Sequence, residues 1–152
     1  MTRLVFLAAL ALAACNGVPF SEVTQVYSDS PEVALALTHA IDRVVAASGV
    51  DVVYGRGHGA VEFRRGATDA DVSGVWNPIT REVTLSRRLR PGTGLDTVTL
   101  HELMHALGAG HVAQGDGVMS PDPDTRLITS ADLDTLCASA ECTRYAPESD
   151  AP

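Results

Sequence analysis

The chain has 152 residues, 45% of them hydrophobic, and a formal net charge of -8. That length holds one globular domain and leaves no room for a second. The acidic balance excludes nucleic acid as a partner, which wants a basic face; all the positive charge is arginine, a compositional bias and not a functional signal.

In chain order, the first segment reads as a targeting leader. Arg3 supplies a minimal positive start, and Leu4 to Ala14 is a continuous apolar run too short to span a bilayer. It ends Leu12-Ala13-Ala14-Cys15, which resembles the bacterial lipobox, in which the cysteine is lipidated after cleavage. The alternative is an ordinary secretory peptide with Cys15 incidental. The lipobox reading divides the chain into a signal peptide at 1–14, a lipidated N-terminus and short linker at 15–22, a catalytic domain at 23–142 and a flexible tail at 143–152. It places the protein outside the cytoplasm, anchored through Cys15 to a membrane. Asn16 after the cysteine points to the outer membrane, facing the periplasm or the cell surface. In such a compartment disulfides persist, and Cys137 and Cys142 are expected to pair. Two reduced, buried thiols are the alternative; metal binding by this pair is a poor reading, because nothing nearby has ligand chemistry.

The remainder reads as a small α/β domain. Glu22 to Tyr27 alternates as a first strand. Ser30-Pro31 starts a helix whose apolar stripe is Val33, Leu37, Ile41, Val44 and Val45, closed by Gly49. Val50 to Tyr54 and Ala60 to Arg64 are short strands around the glycine-rich Gly55-Arg-Gly-His-Gly59. Asp71 to Trp76 and Glu82 to Ser86 are two more around Asn77-Pro78. A helix capped near Asp96 buries Val98, Leu103 and Leu107, and a last helix runs from Thr129 or Ser130 towards Cys137.

The chemistry concentrates in His101-Glu-Leu-Met-His105-Ala-Leu-Gly108-Ala-Gly-His111. Residues four apart on a helix lie about 6 Å apart along the axis and only ~40° apart in rotation. His101 and His105 can therefore face one ion. Glu102 is turned ~100° away, where it can meet a water and not the metal. Gly108 ends the helix at a left-handed turn, and the returning chain delivers His111. Three protein ligands leave a fourth position open, as in a catalytic zinc site. The alternative is an amphipathic helix with surface histidines. A five-position pattern of this kind arises by chance in on the order of one chain in ten thousand or fewer.

HELMHALGAGH resembles the extended zinc signature H-E-x-x-H-x-x-G-x-x-H of the metzincin metallopeptidases. Asp116-Gly-Val-Met119-Ser-Pro121 resembles their Met-turn, and the short interval to Met119 is similar to the matrixin branch, the matrix metalloproteinase family. The likeness extends, as an order of elements, from Val23 to Cys137. It implies an α+β catalytic domain with a mixed five-stranded sheet, a first helix, a zinc-binding helix and a C-terminal helix. It implies one catalytic Zn2+ on His101, His105 and His111, with Glu102 as general base for a metal-activated water and Met119 as a soft floor. It implies a monomeric endopeptidase whose protein or peptide substrate lies along the edge strand, against Gly74, Val75 and Trp76, with Ser120 to Leu127 lining the specificity pocket. Trp76 is equally an aromatic packing residue.

The chain departs from matrixins in two respects. The His and Asp set that accompanies their structural zinc and calcium is missing around His58, and His39 has no ligand company either. Asp116, Asp122 and Asp124 match no dedicated calcium loop, so calcium is not indicated. The lipobox also claims the one cysteine, Cys15, that could serve as an inhibitory ligand. Two other functions share the motif: a zinc-binding lipoprotein that no longer cuts, and a hydrolase of cell-wall peptides.

Overall fold

The computed structural model describes residues 25–115, 117–121 and 126–149. Alternation of apolar and polar residues builds the sheet. In β3 (Val61–Gly66), Val61 and Phe63 are buried while Arg64 is exposed, and in β5 (Glu82–Ser86) Val83 and Leu85 are buried. The parallel β3–β5 register sets Phe63 beside Val83 and Arg65 beside Leu85, which puts the apolar side chains on one face. With β1 (Gln25–Tyr27), β2 (Val53–Tyr54) and β4 (Gly74–Asn77), the five-stranded order is β2-β1-β3-β5-β4. All neighbours pair in parallel except β4, which runs antiparallel to β5 along one edge.

Two helices cover the apolar face. α1 (Pro31–Ser48) has proline in its first turn and Gly49 as a left-handed cap. Ser30 stands at the N-cap position, but its side chain makes no capping bond there. Val33, Leu37, Ile41 and Val44 enter the core as expected, while Val45 is only partly buried. α1 packs against α2 (Thr93–Ala106), which contributes Leu95, Leu100, Leu103 and Met104. A short α3 (Ser130–Cys137) follows, capped by Thr129. The architecture is a mixed α/β layer pair, compatible with the expected α+β class.

Several boundaries differ from those read in the sequence. α2 starts at Thr93, three residues before the expected cap: the Asp96 amide already donates to the Gly92 carbonyl at 2.9 Å. Asp96 lies in the first turn, where its charge complements the free amides of the helix end. Val98 is half-buried: it packs against the core and also lines a cleft. The expected 50–54 strand contracts to Val53–Tyr54, both exposed, while Val50 and Val52 enter the core from outside any strand. The 71–76 strand shifts to Gly74–Asn77. Of the first strand, residues 22–24 lie outside the described region.

Residues 143–149, expected as a flexible tail, fold back onto α1. The Thr143 and Arg144 amides donate to Ser48, Ala146 to Ala47 and Glu148 to Ile128. Glu148 also accepts from the Arg43 guanidinium at 2.8 and 2.6 Å and from the Ile128 amide at 2.7 Å. Burial alone would raise its pKa, but the Arg43 bond, the Ile128 amide and the Arg43 charge outweigh it and hold the carboxyl below its ordinary value. A depressed carboxyl stabilises the fold above its unfolded pKa and loses that contribution as pH falls through the folded one. Glu148→Gln is therefore expected to cost about 1 kcal/mol at pH 7 and less in acid; urea midpoints at the two pH values check this. Cys137 and Cys142 form the expected disulfide, with S–S at 2.06 Å, tying the end of α3 to the residue just before this tail.

Candidate metal centre and cleft

The helix spacing does for His101 and His105 what the sequence requires, and the turn after α2 brings in His111. The helix ends at Ala106, Leu107 caps it, and Gly108 takes φ 100. The Ala109 amide donates to Met104 O at 2.9 Å and the Gly108 amide to His105 O at 3.0 Å, the bonds of a Schellman closure. A side chain at Gly108 would be strained in that conformation. The closure also aims the Ala109 carbonyl at His105, whose Nδ1 donates to it at 2.8 Å. His101 Nδ1 donates likewise to the Val118 carbonyl at 2.7 Å. Both rings are thereby held in the tautomer that leaves an Nε2 lone pair for a ligand, the arrangement in which backbone acceptors orient metal-binding histidines.

The ligand atoms of His101, His105 and His111 all lie within 4.8 Å of one another. His105 Nε2 and His111 Nε2 are 3.1 Å apart, close to the ~3.3 Å between two nitrogens on a tetrahedral ion with bonds near 2.05 Å. Burial, opposed by the Val118 bond, lowers the pKa of His101. Burial and then the His101 charge lower that of His105 to about 4. Both imidazoles are neutral at physiological pH, as metal ligation demands. The three residues fit a metal ion, and among the described residues they are the only such cluster.

Glu102 lines the same cleft but is not part of the histidine cluster, and is 5% exposed. Burial pushes its carboxyl up to about 7, against the opposing effect of a backbone hydrogen bond from Trp76. Its side chain packs on β4 at Gly74, where a built Cβ would stand 2.5 Å from Oε1, 2.7 Å from Cγ and 2.9 Å from Cδ. Glycine here makes room for the carboxylate.

Between β4 and α2 runs a cleft of about 800 Å³ lined by all three histidines and Glu102. Gly74, Val75 and Trp76, the expected substrate strand, line it, with Val75 exposed and Trp76 half-buried against the core. Pro121 and Arg126 line it from the segment after the turn at Met119. Met119 is fully buried in that turn, beside the Val118 carbonyl that holds His101. His39 and His58 join no cluster among the described residues. Cys15, Asp116, Asp122 and Asp124 lie outside them.

Asp132 was not singled out in the sequence. This fully buried carboxylate accepts from the Val118 amide at 3.1 Å and the Met119 amide at 2.9 Å, and closes a capping box with Thr129. One side chain thus ties α3 to the turn under the histidines. Thr129-x-x-Asp132 was the available signal. Asp132→Ala would strand three amides, those of Val118, Met119 and Thr129, and is expected to cost about 2–4 kcal/mol, read from urea unfolding; a loss under 1 kcal/mol would contradict this role. No protein-family model and no curated protein matches the chain.

Proposed function

We propose that the protein is a zinc-dependent endopeptidase of the metzincin type, similar to the matrixin branch. The observation that carries the reading is the juxtaposition, in one cleft, of a three-histidine cluster, a buried carboxyl tuned to about 7 and the free edge of β4. Three imidazoles with an open fourth position suit zinc. When bound, the ion supplies a Lewis acid that acidifies water and polarises a carbonyl oxygen.

The other steps belong to the chain. β4 ends the sheet, so its outer backbone groups can pair with an extended peptide as a further strand. That pairing sets the scissile carbonyl beside the histidines. Glu102 takes the proton from the attacking water and passes it to the leaving amine nitrogen. In the metal-free fold this carboxyl sits at about 7, and it is placed to hold and return a proton. The Trp76 amide and the Gly74 surface hold that carboxyl in place. A purely metal-holding protein has no use for a base so placed, which weighs against the non-catalytic reading, and an open strand edge favours proteins over cell-wall peptides.

Export and anchoring through Cys15 belong to the same proposal, with a monomer held near the membrane. No helix of the described residues is long and apolar enough to cross a membrane. Purified full chain should bind one zinc, cleave an unfolded protein, lose that activity to a chelator and regain it with zinc. Cleavage that persists in the metal-stripped protein would contradict the reading.

A further inference from the structure

The cleft continues past the histidines along α2. Thr97 and Thr93 stand one and two turns before His101 on the same helix face, ~6 and ~12 Å along the axis, and both line the cleft. Arg126 reaches this end, and its guanidinium donates to Thr93 Oγ1 at 3.0 Å. No ion pair engages Arg126 among the described residues, although Asp71 lines the same cleft. A guanidinium carries five N–H donors, and among the described residues one is used, on Thr93. The Thr97 hydroxyl is turned onto the Thr93 carbonyl at 2.9 Å. Along α2, Val98 falls between Thr93 and His101, and Val98 and Leu89 add apolar surface to the cleft lining.

We infer that this end of the cleft is a side-chain subsite for an acidic residue, glutamate before aspartate, within two positions of the bond that is cut. An apolar wall followed by a cationic end matches the glutamate side chain, with two methylenes and then a carboxylate. A planar guanidinium binds a carboxylate through two parallel bonds, and lysine in the same subsite meets like charge. The inference rests on the proposed function for its substrate but concerns binding, so the two can fail separately.

The test measures affinity of hexapeptides carrying Glu, Gln or Lys at each position near the centre. The host is zinc-loaded full-length Glu102→Gln protein, with and without Arg126→Glu; parallel cleavage by the zinc-loaded parent locates the cut. At one position Glu should bind at least about tenfold tighter than Lys, a typical charge-pairing effect, and Arg126→Glu should reverse the order. Equal binding of all peptides, or a Glu preference that survives Arg126→Glu, overturns the subsite. Glu-selective, Arg126-dependent binding without cleavage by the parent supports the subsite and counts against the endopeptidase.

Discussion

Replacing Glu102 with Gln is expected to slow peptide hydrolysis by on the order of 10²–10⁴-fold, the usual contribution of a general base, while zinc stays bound. The amide keeps the size of the carboxylate and can still accept the Trp76 hydrogen bond, but it cannot take a proton. Because Glu102 is not part of the three-histidine cluster, its replacement leaves the ligands in place. The same substitution has a second, independent signature in the metal-free protein. Burial raises the Glu102 pKa from 4.5 to about 7 in the fold. The unfolded chain therefore releases this proton at lower pH than the folded one, and stability is lost as pH rises between the two values. Metal-free Glu102→Gln should exceed the metal-free parent in stability by up to about 3 kcal/mol at pH 8 and show no such gain at pH 4. An equal difference at both values would show that the carboxyl is not held in an apolar setting.

Gly74→Ala should damage catalysis without touching metal or ligands. The new methyl group would stand between 2.5 and 2.9 Å from three atoms of the Glu102 side chain, so the carboxylate must move. A displacement of about 1 Å at a reacting group costs on the order of 10²-fold. The loss should appear mainly in kcat, with zinc stoichiometry unchanged. Gly74→Ala at parental kcat would mean that Glu102 adapts freely or is not the base.

The three-histidine cluster was legible because its residues are close in sequence and their spacing is the geometry: i, i+4, then a glycine turn. Ser30-Pro31 and Gly49 marked α1 for the same reason, since local conformational limits act within a turn or two. The start of α2 was misplaced because Asp96 is a good cap residue, yet the Pro91-Gly92 turn lets the helix begin earlier and uses Asp96 in its first turn. Contacts between distant segments left the weakest traces. Nothing around Gly74 announces that its missing Cβ accommodates Glu102, and nothing in the 143–149 stretch announces Ser48 or Arg43 as partners. Asp132 falls between these cases: its capping pattern is local, but its hold on Val118 and Met119 appears only in three dimensions.

The most direct measurement is cleavage of an unbiased peptide library by the zinc-loaded full chain, beside zinc-loaded Glu102→Gln protein. Cuts at internal peptide bonds by the parent, reduced to background in the variant, are the result expected of a zinc endopeptidase with Glu102 as its base. A folded, zinc-loaded parent that leaves the library intact, or a variant that cuts as well as the parent, would contradict it.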